Sequence, residues 1–433
     1  MKNCISRKKN NISKIPLLLI VFFSTATFLT TSCSSFRHEE DKTANEYIYE
    51  TFQDWYLWNN MLPKVDPNTF ETGQELIDSI CVEQDRWSFA GSLTSVKQLF
   101  EAGEFTGFGG SMMLDAQKRI WIGQVYRNSP MGRIGVQRGW EIKSIDGFTT
   151  EYLEEINNAL ARNQSVTFEF VDNNGETHTA TLKREVVTMN TVLHSSIIEE
   201  GPHKIGYLVF DSFVETSEAE LDSVFTRFNQ EKITDLIVDL RYNGGGLNDI
   251  AYKLTAMIGG SKVKNKLITL TQHNSNHFNY NSEKIADYKG TSVEVPTVHF
   301  ITTKETASAS EVVINNLIPY MEVVIVGRAT HGKPVGMYIF EVEKLDLAIL
   351  PICFKTTNKD GNGDYFNGLQ PTLEVADDIT RPWGDPEEGM LKATIACIAN
   401  PALASSSTAL KSQAIHALEP LKYQGIHQLI GAY

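Results

Sequence analysis

The sequence predicts an α/β chain of several domains, a mixed α+β assembly whose main core is built on a mainly parallel sheet. Three observations carry that expectation. From Ile205 onward strand-like runs alternate with helical ones: IGYLVF, then Ser217 to Asn229 with Leu221, Val224, Phe225 and Phe228 on one face, then DLIVDL, then Leu247 to Ile258, then VHFIT. A period switching between 2 and 3.6 in this way is the pattern of strands and helices packed in layers. Between Gly107 and about Val187 the runs are short and alternating, such as IWIGQV and VTFEFV, and Asn-Ser-Pro and Asp-Gly turns break them, which predicts a small, mostly β domain. Before it, Tyr47, Tyr49, Phe52, Trp55, Tyr56 and Trp58 recur at mostly helical spacing, as the core of a small helical region would.

In chain order, residues 1–32 come first. They hold five basic residues (Lys2, Arg7, Lys8, Lys9, Lys14), no acid, and an apolar run from Leu17 to Leu29. That is the layout of a secretory signal peptide, and a run of thirteen residues falls short of the ~20 that a spanning helix needs. Cys33, followed by SSFRHEEDK, resembles the lipidated cysteine of a bacterial lipoprotein, although Thr30 stands where that pattern prefers Leu. Residues 33–45 are then the tether of a lipid anchor, 46–103 the helical region, 104–190 the β domain, 191–400 the α/β core and 401–433 a helical tail or frayed end rich in Ala, Ser and Leu. Loss of the leader takes the formal charge from −14 to −19, so nucleic acid is not an expected partner. Cys81, Cys353 and Cys397 are too far apart for a zinc pattern and read as buried thiols, with one disulfide possible. The loop DGNGD (Asp360 to Asp364) starts like a calcium loop, but Pro371 falls where the twelfth-position Glu would be, so a turn is expected and no metal or cofactor.

Chemistry on such a sheet belongs where strands end in loops. The strand Leu236 to Leu240 runs into Arg241-Tyr242-Asn243-Gly244-Gly245-Gly246, a turn able to aim backbone N–H groups at one point; taken alone it also fits a plain strand-to-helix turn. The strand His299 to Thr303 runs into TASASE (Thr306 to Glu311) and an apolar-faced helix. A serine at such an elbow suits a nucleophile, yet serines before helices are commonly caps, and Ser310 is the better placed to be that cap.

TASASE resembles the nucleophile segment Thr/Ser-Ala-Ser-Ala-Ser-Glu of the C-terminal processing peptidases, also called tail-specific proteases, which are serine peptidases carrying a PDZ domain. The resemblance makes Ser308 the nucleophile and, in ATHGK, Lys333 the general base, 25 residues on. DLRYNGGG is similar to that family's oxyanion turn. It implies donors from Gly245, with Gly244 as fallback, and from Ala309. Gly107, Phe108, Gly109 and Gly110 look like the carboxylate-binding loop that opens the PDZ domain, and Arg127 to Gly147 resembles its following segment, with Trp140 in place of the usual Asp. The similarity covers roughly residues 46–395, and DWYLWN and DRWSF look like the helical region of Bacteroidetes-type members.

The family implies an envelope endopeptidase with a Ser-Lys dyad. It would act on protein or peptide substrates with free C-termini and be held to a membrane, expected to be the outer one, through Cys33. Lys333 can serve as base only when neutral, so burial must lower its pKa from ~10.4. Two departures leave alternatives open. Met337 stands where many members place a lysine-orienting Gln, so the orienting group is unnamed, and His331 replaces the usual Phe or Tyr, so a Ser308-His331 pair is conceivable. The alternative to an active enzyme is a catalytically inactive lipoprotein that keeps the PDZ groove and the peptidase fold for peptide binding. A structural or carbohydrate-handling lipoprotein would make all these matches coincidence.

Overall fold

The computed structural model describes residues 42–162, 164–405 and 419–420. The expected leader and Cys33 lie outside them. Among the described residues no helix is long and apolar enough to cross a membrane.

The helical region forms for local reasons. Thr43 caps the helix Ala44–Trp55 and Thr72 caps Gly73–Ile80, each in a capping box with Glu three residues on. Ile48, Phe52, Tyr56, Leu76, Ile77 and Ile80 then bury their side chains against Val335, Ile349 and Ile352. The region is therefore no free-standing bundle. Its aromatic stripe closes over the strands that follow Lys333.

The β domain holds a main antiparallel sheet whose strands follow in chain order, Gly110–Leu114, Ile120–Val125, Glu141–Ile145, Val166–Val171 and Thr177–Leu182, and a two-stranded antiparallel sheet in which Glu104–Gly107 pairs with Glu185–Thr188. Alternate residues of Val166–Val171 are buried, so Val166, Phe168 and Phe170 pack with Ile156 and Leu160 of the helix Leu153–Ala161. Trp140 finds its place in this packing, stacked on His178 at 4.8 Å between ring centroids. Of the tail expected over residues 401–433, the described parts are a short helix, Ala402–Ser405, and an extended pair, Glu419–Pro420, on the outer edge of Gly110–Leu114; residues 406–418 and 421–433 lie outside the described residues.

The main core is a six-stranded sheet. Its strands are β1 (Val192–Glu200), β2 (His203–Phe210), β3 (Asp235–Asp239), β4 (Thr297–Thr302), β5 (Glu322–Gly327) and β6 (Leu373–Glu374), lying side by side in that order; only β1 is antiparallel to its neighbour. Parallel neighbours need crossovers, and crossovers of one hand that advance in one direction leave their helices on one face. Accordingly α1 (Ser217–Glu231), α2 (Asn248–Gly259) and α3 (Ala309–Leu317) cover Leu208, Leu236, Val238 and Phe300. Their strand neighbours Tyr207, Val209, Ile237 and Ile301 point the other way, onto α4 (Gly389–Ala399). A smaller antiparallel sheet, in the order Ser282–Ile285, Leu267–His273, Ile352–Asn358, Val335–Met337, was not foreseen. It supports the segment that carries Lys333.

The β domain is locked to the core by polar and apolar contacts. Arg138, buried, pairs with Asp377 (2.9 Å), donates to Tyr242 Oη (3.0 Å) and lies 4.0 Å over the Trp383 ring. Arg241, also buried, pairs with Asp239, Asp377 and Glu388. Met113 and Trp121 pack on Tyr242 and Ile379 beside this cluster. Gln124 and Tyr126 both donate to buried Asp211, whose pKa burial pushes up to about 7 against the lowering effect of those two hydrogen bonds.

Candidate active site

Three loops leave the same ends of β3, β4 and β5 and meet. The loop after β3 is pinned by Asn243, a buried residue that sequence reasoning passed over. Its side chain donates to Phe210 O (2.8 Å), and its carbonyl accepts from Ala307 N–H (3.0 Å) and Ser310 Oγ (3.1 Å). The glycines that follow are there for space. A Cβ on Gly245, at φ +101°, would lie 2.8 Å from Ser308 Cβ and from Ala309 N; one on Gly246 would lie 2.2 Å from Phe213 O.

Ser308 sits at φ 56°, ψ −117°, a conformation that L residues rarely adopt and that costs ~1–3 kcal/mol. It is half-buried, and it is the residue that caps α3. Ser310 is not the cap. It lies within the first turn of the helix, fully buried, with its hydroxyl spent on Asn243. The alternation in Ser-Ala-Ser thus separates one accessible hydroxyl from one that holds the turn.

Lys333 reaches the site from the loop after β5. One side chain draws it there: Glu311, buried inside α3. Glu311 Oε2 accepts from Ser308 N–H (2.9 Å) and from Lys333 N–H (2.8 Å), while Oε1 accepts from Gly332 N–H (2.7 Å) and Thr330 Oγ1. Two bonds to a single oxygen keep the two backbone nitrogens no farther apart than those distances together. His331 N–H adds a bond to Thr306 O (2.9 Å). Burial lowers the Lys333 pKa from 10.5 to about 8, against the opposing pull of the Asp85 and Glu311 carboxylates. Of the two acids whose charge acts on the amine, Asp85 comes from the helical region.

His331 is engaged elsewhere. Its Nε2 accepts from Trp87 Nε1 (2.9 Å), and Trp87 belongs to the same Asp85–Ser88 turn. With Nε2 an acceptor, the proton of neutral His331 is on Nδ1, and the pair with Ser308 finds no support.

The predicted oxyanion donors are only partly free. Gly245 N–H donates to Asn243 Oδ1 (2.9 Å), so the fallback, exposed Gly244, stands beside Ala309 as the donor without that commitment. In the β domain, Gly107, Phe108, Gly109 and Gly110 are all buried. The carbonyls of Phe108 and Gly109 accept from Met131 N–H (3.1 Å) and Tyr126 N–H (2.9 Å). A Cβ on Gly109 would lie 1.9 Å from Ser129 Cβ, which is why that position must be glycine. Cys81, Cys353 and Cys397 are free thiols; Cys353 and Cys397 are buried and Cys81 is only half-buried.

Comparison with known proteins places the chain in a family. The model of peptidase family S41 matches residues 204–375, and that of the peptidase S41 N-terminal domain matches residues 43–89. A protein of Staphylococcus saprophyticus named "Probable CtpA-like serine protease" is 24% identical over 321 residues, 72% of this chain and 61% of its own length. One of the same name from Staphylococcus haemolyticus is 22% identical, over 76% of this chain and 64% of its own. The chain thus spans about three-fifths of these curated relatives. Among solved structures, a chain assigned as an S41 protease from Bacteroides fragilis superposes with a TM-score of 0.70 at 22% identity, covering 82% of this chain and 97% of that one, a likeness of fold.

Proposed function

The chain belongs to peptidase family S41, and from that premise we propose that it is a serine endopeptidase of the cell envelope in which Ser308 attacks and Lys333 takes its proton. The observation that carries this reading is the shared acceptor, Glu311 Oε2, which ties the serine and lysine backbones to one point while burial brings the amine toward neutrality.

In the reaction, neutral Lys333 Nζ accepts the Ser308 hydroxyl proton as Oγ bonds to the peptide carbonyl carbon. The N–H groups of Ala309 and Gly244 hold the oxyanion, with Gly245 joining them if its bond to Asn243 opens. The C–N bond then breaks, and the lysine returns its proton to the leaving amine. Water repeats the sequence on the acyl-enzyme and frees Ser308. The strained backbone at Ser308 supports a nucleophile held by its surroundings in one pose.

The β domain is read as PDZ-like, a module that captures extended tails by strand addition along Gly110–Leu114. Turning the Phe108 and Gly109 carbonyls inward supports a loop whose amides serve a carboxylate. Export and anchoring through Cys33 belong to the same proposal and rest on the leader sequence.

The test is cleavage of an unfolded protein by the chain from Ser34 onward, beside Ser308→Ala, Lys333→Ala and Ser310→Ala. Loss of activity in the first two, with substantial retention in the third, is the expected outcome. An inert wild type across many unfolded substrates, or turnover by Lys333→Ala, would favour a peptide-binding protein or a different base.

A further inference from the structure

Gly110–Leu114 is an edge strand, and its outer side is occupied by the far end of the same chain. Glu419 lies opposite Leu114 and Pro420 opposite Met113, antiparallel. Unpaired edge groups invite any extended segment, and peptide-binding grooves of this type use main-chain bonds for affinity. An antiparallel segment entering at Leu114 advances toward Gly110, the direction of the loop Gly107–Gly110. Pro420 suits an outermost position, since a strand with no further neighbour loses little by lacking one N–H. From Glu419 to Tyr433 the charged side chains are Glu419 and Lys422, which cancel. The sequence after Pro420 includes the apolar residues Leu421, Ile426, Leu429 and Ile430. The opposite edge, Thr177–Leu182, carries no added strand among the described residues.

The strand so covered is next to the chemistry. Met113 packs on Tyr242, the residue before Asn243, and Arg138 bonds the Tyr242 hydroxyl. We propose that the segment beginning at Glu419 is an intramolecular ligand of the Gly110–Leu114 edge, seated where a substrate tail would add. The inference rests on the peptide-capture reading of that edge. A substrate must then displace the tail in order to dock.

The test uses the full chain from Ser34 to Tyr433 in a Ser308→Ala background, so that the probe is not cut. Leu114→Cys with Glu419→Cys places two thiols on opposed residues, whose Cα separation of ~4.5–5.5 Å suits a disulfide. Thr179→Cys with Glu419→Cys, on the far edge, is the control. Under mild oxidation the 114–419 bond is expected to form in monomers at least ~10-fold more than the control, and the oxidised protein to bind a fluorescent peptide of residues 419–433 at least ~10-fold more weakly than the reduced one. Equal cross-linking of the two pairs, or cross-links only between chains, overturns the assignment even if the peptide binds, and leaves peptide capture standing. Preferential cross-linking with no binding of the peptide to a reduced Ser308→Ala chain that ends at Leu418, where no tail competes, overturns the capture reading instead, and with it the claim that the tail sits in a substrate's place. Cross-linking that leaves peptide binding unchanged also refutes it, because the peptide then docks elsewhere.

Discussion

The rate of peptide cleavage should follow the neutral form of Lys333, and the pH at which it levels off reports how well the fold hides the amine. With a pKa of about 8, the neutral share is ~1% at pH 6, ~9% at pH 7, ~50% at pH 8 and ~91% at pH 9. kcat/KM is therefore expected to rise ~9-fold from pH 6 to 7, ~5-fold from 7 to 8 and less than ~2-fold from 8 to 9. An exposed lysine near 10.5 would still gain ~10-fold over that last step, so the interval from pH 8 to 9 discriminates. Initial rates on a fluorescein-labelled unfolded protein, held well below KM, measure it. Because the Asp85 carboxylate holds the amine's pKa up, Asp85→Asn should move the plateau to lower pH. A profile flat from pH 6 to 9 would show that Lys333 is not the titrating base. One still climbing ~9-fold per unit at pH 9 would show that burial does not act as argued.

Three further outcomes follow from the same contacts. Glu311→Gln replaces one acceptor oxygen by a donor facing N–H or O–H groups, so kcat should fall ~100-fold or more with little change in KM, and urea unfolding should show a loss of ~1–3 kcal/mol; a variant with normal kcat would remove Glu311 from the positioning of Ser308 and Lys333. Gly245→Ala puts a Cβ 2.8 Å from Ser308 Cβ at φ +101°, and labelling by a serine-reactive fluorophosphonate should slow ~100-fold; unchanged labelling would mean the turn is not needed in this shape. Arg241→Met leaves Asp239 and Glu388 buried without their cation, which should cost ~3–5 kcal/mol in chemical denaturation; a neutral result would show the cluster to be hydrated.

The sequence by itself determined what depends on near neighbours. Period-2 and period-3.6 runs placed β2, α1, β3, α2 and β4, because a strand or a helix shows its buried face in consecutive residues. Motif order made Ser308, Lys333 and the glycine turn the residues to examine. Only the tertiary structure decided what those residues do together. Ser308 and Ser310 share residue type and flanking alanines, and their different fates follow from Asn243, which takes one hydroxyl and leaves the other. Glu311 reaches the lysine loop because β4 and β5 are adjacent, a fact of sheet order rather than of spacing. Asp85 and Trp87 reach Lys333 and His331 from the other end of the chain, and Arg138 leaves its own domain to meet Asp377. Local patterns record which faces are buried, whereas the partner buried against each face is selected by packing the whole chain at once.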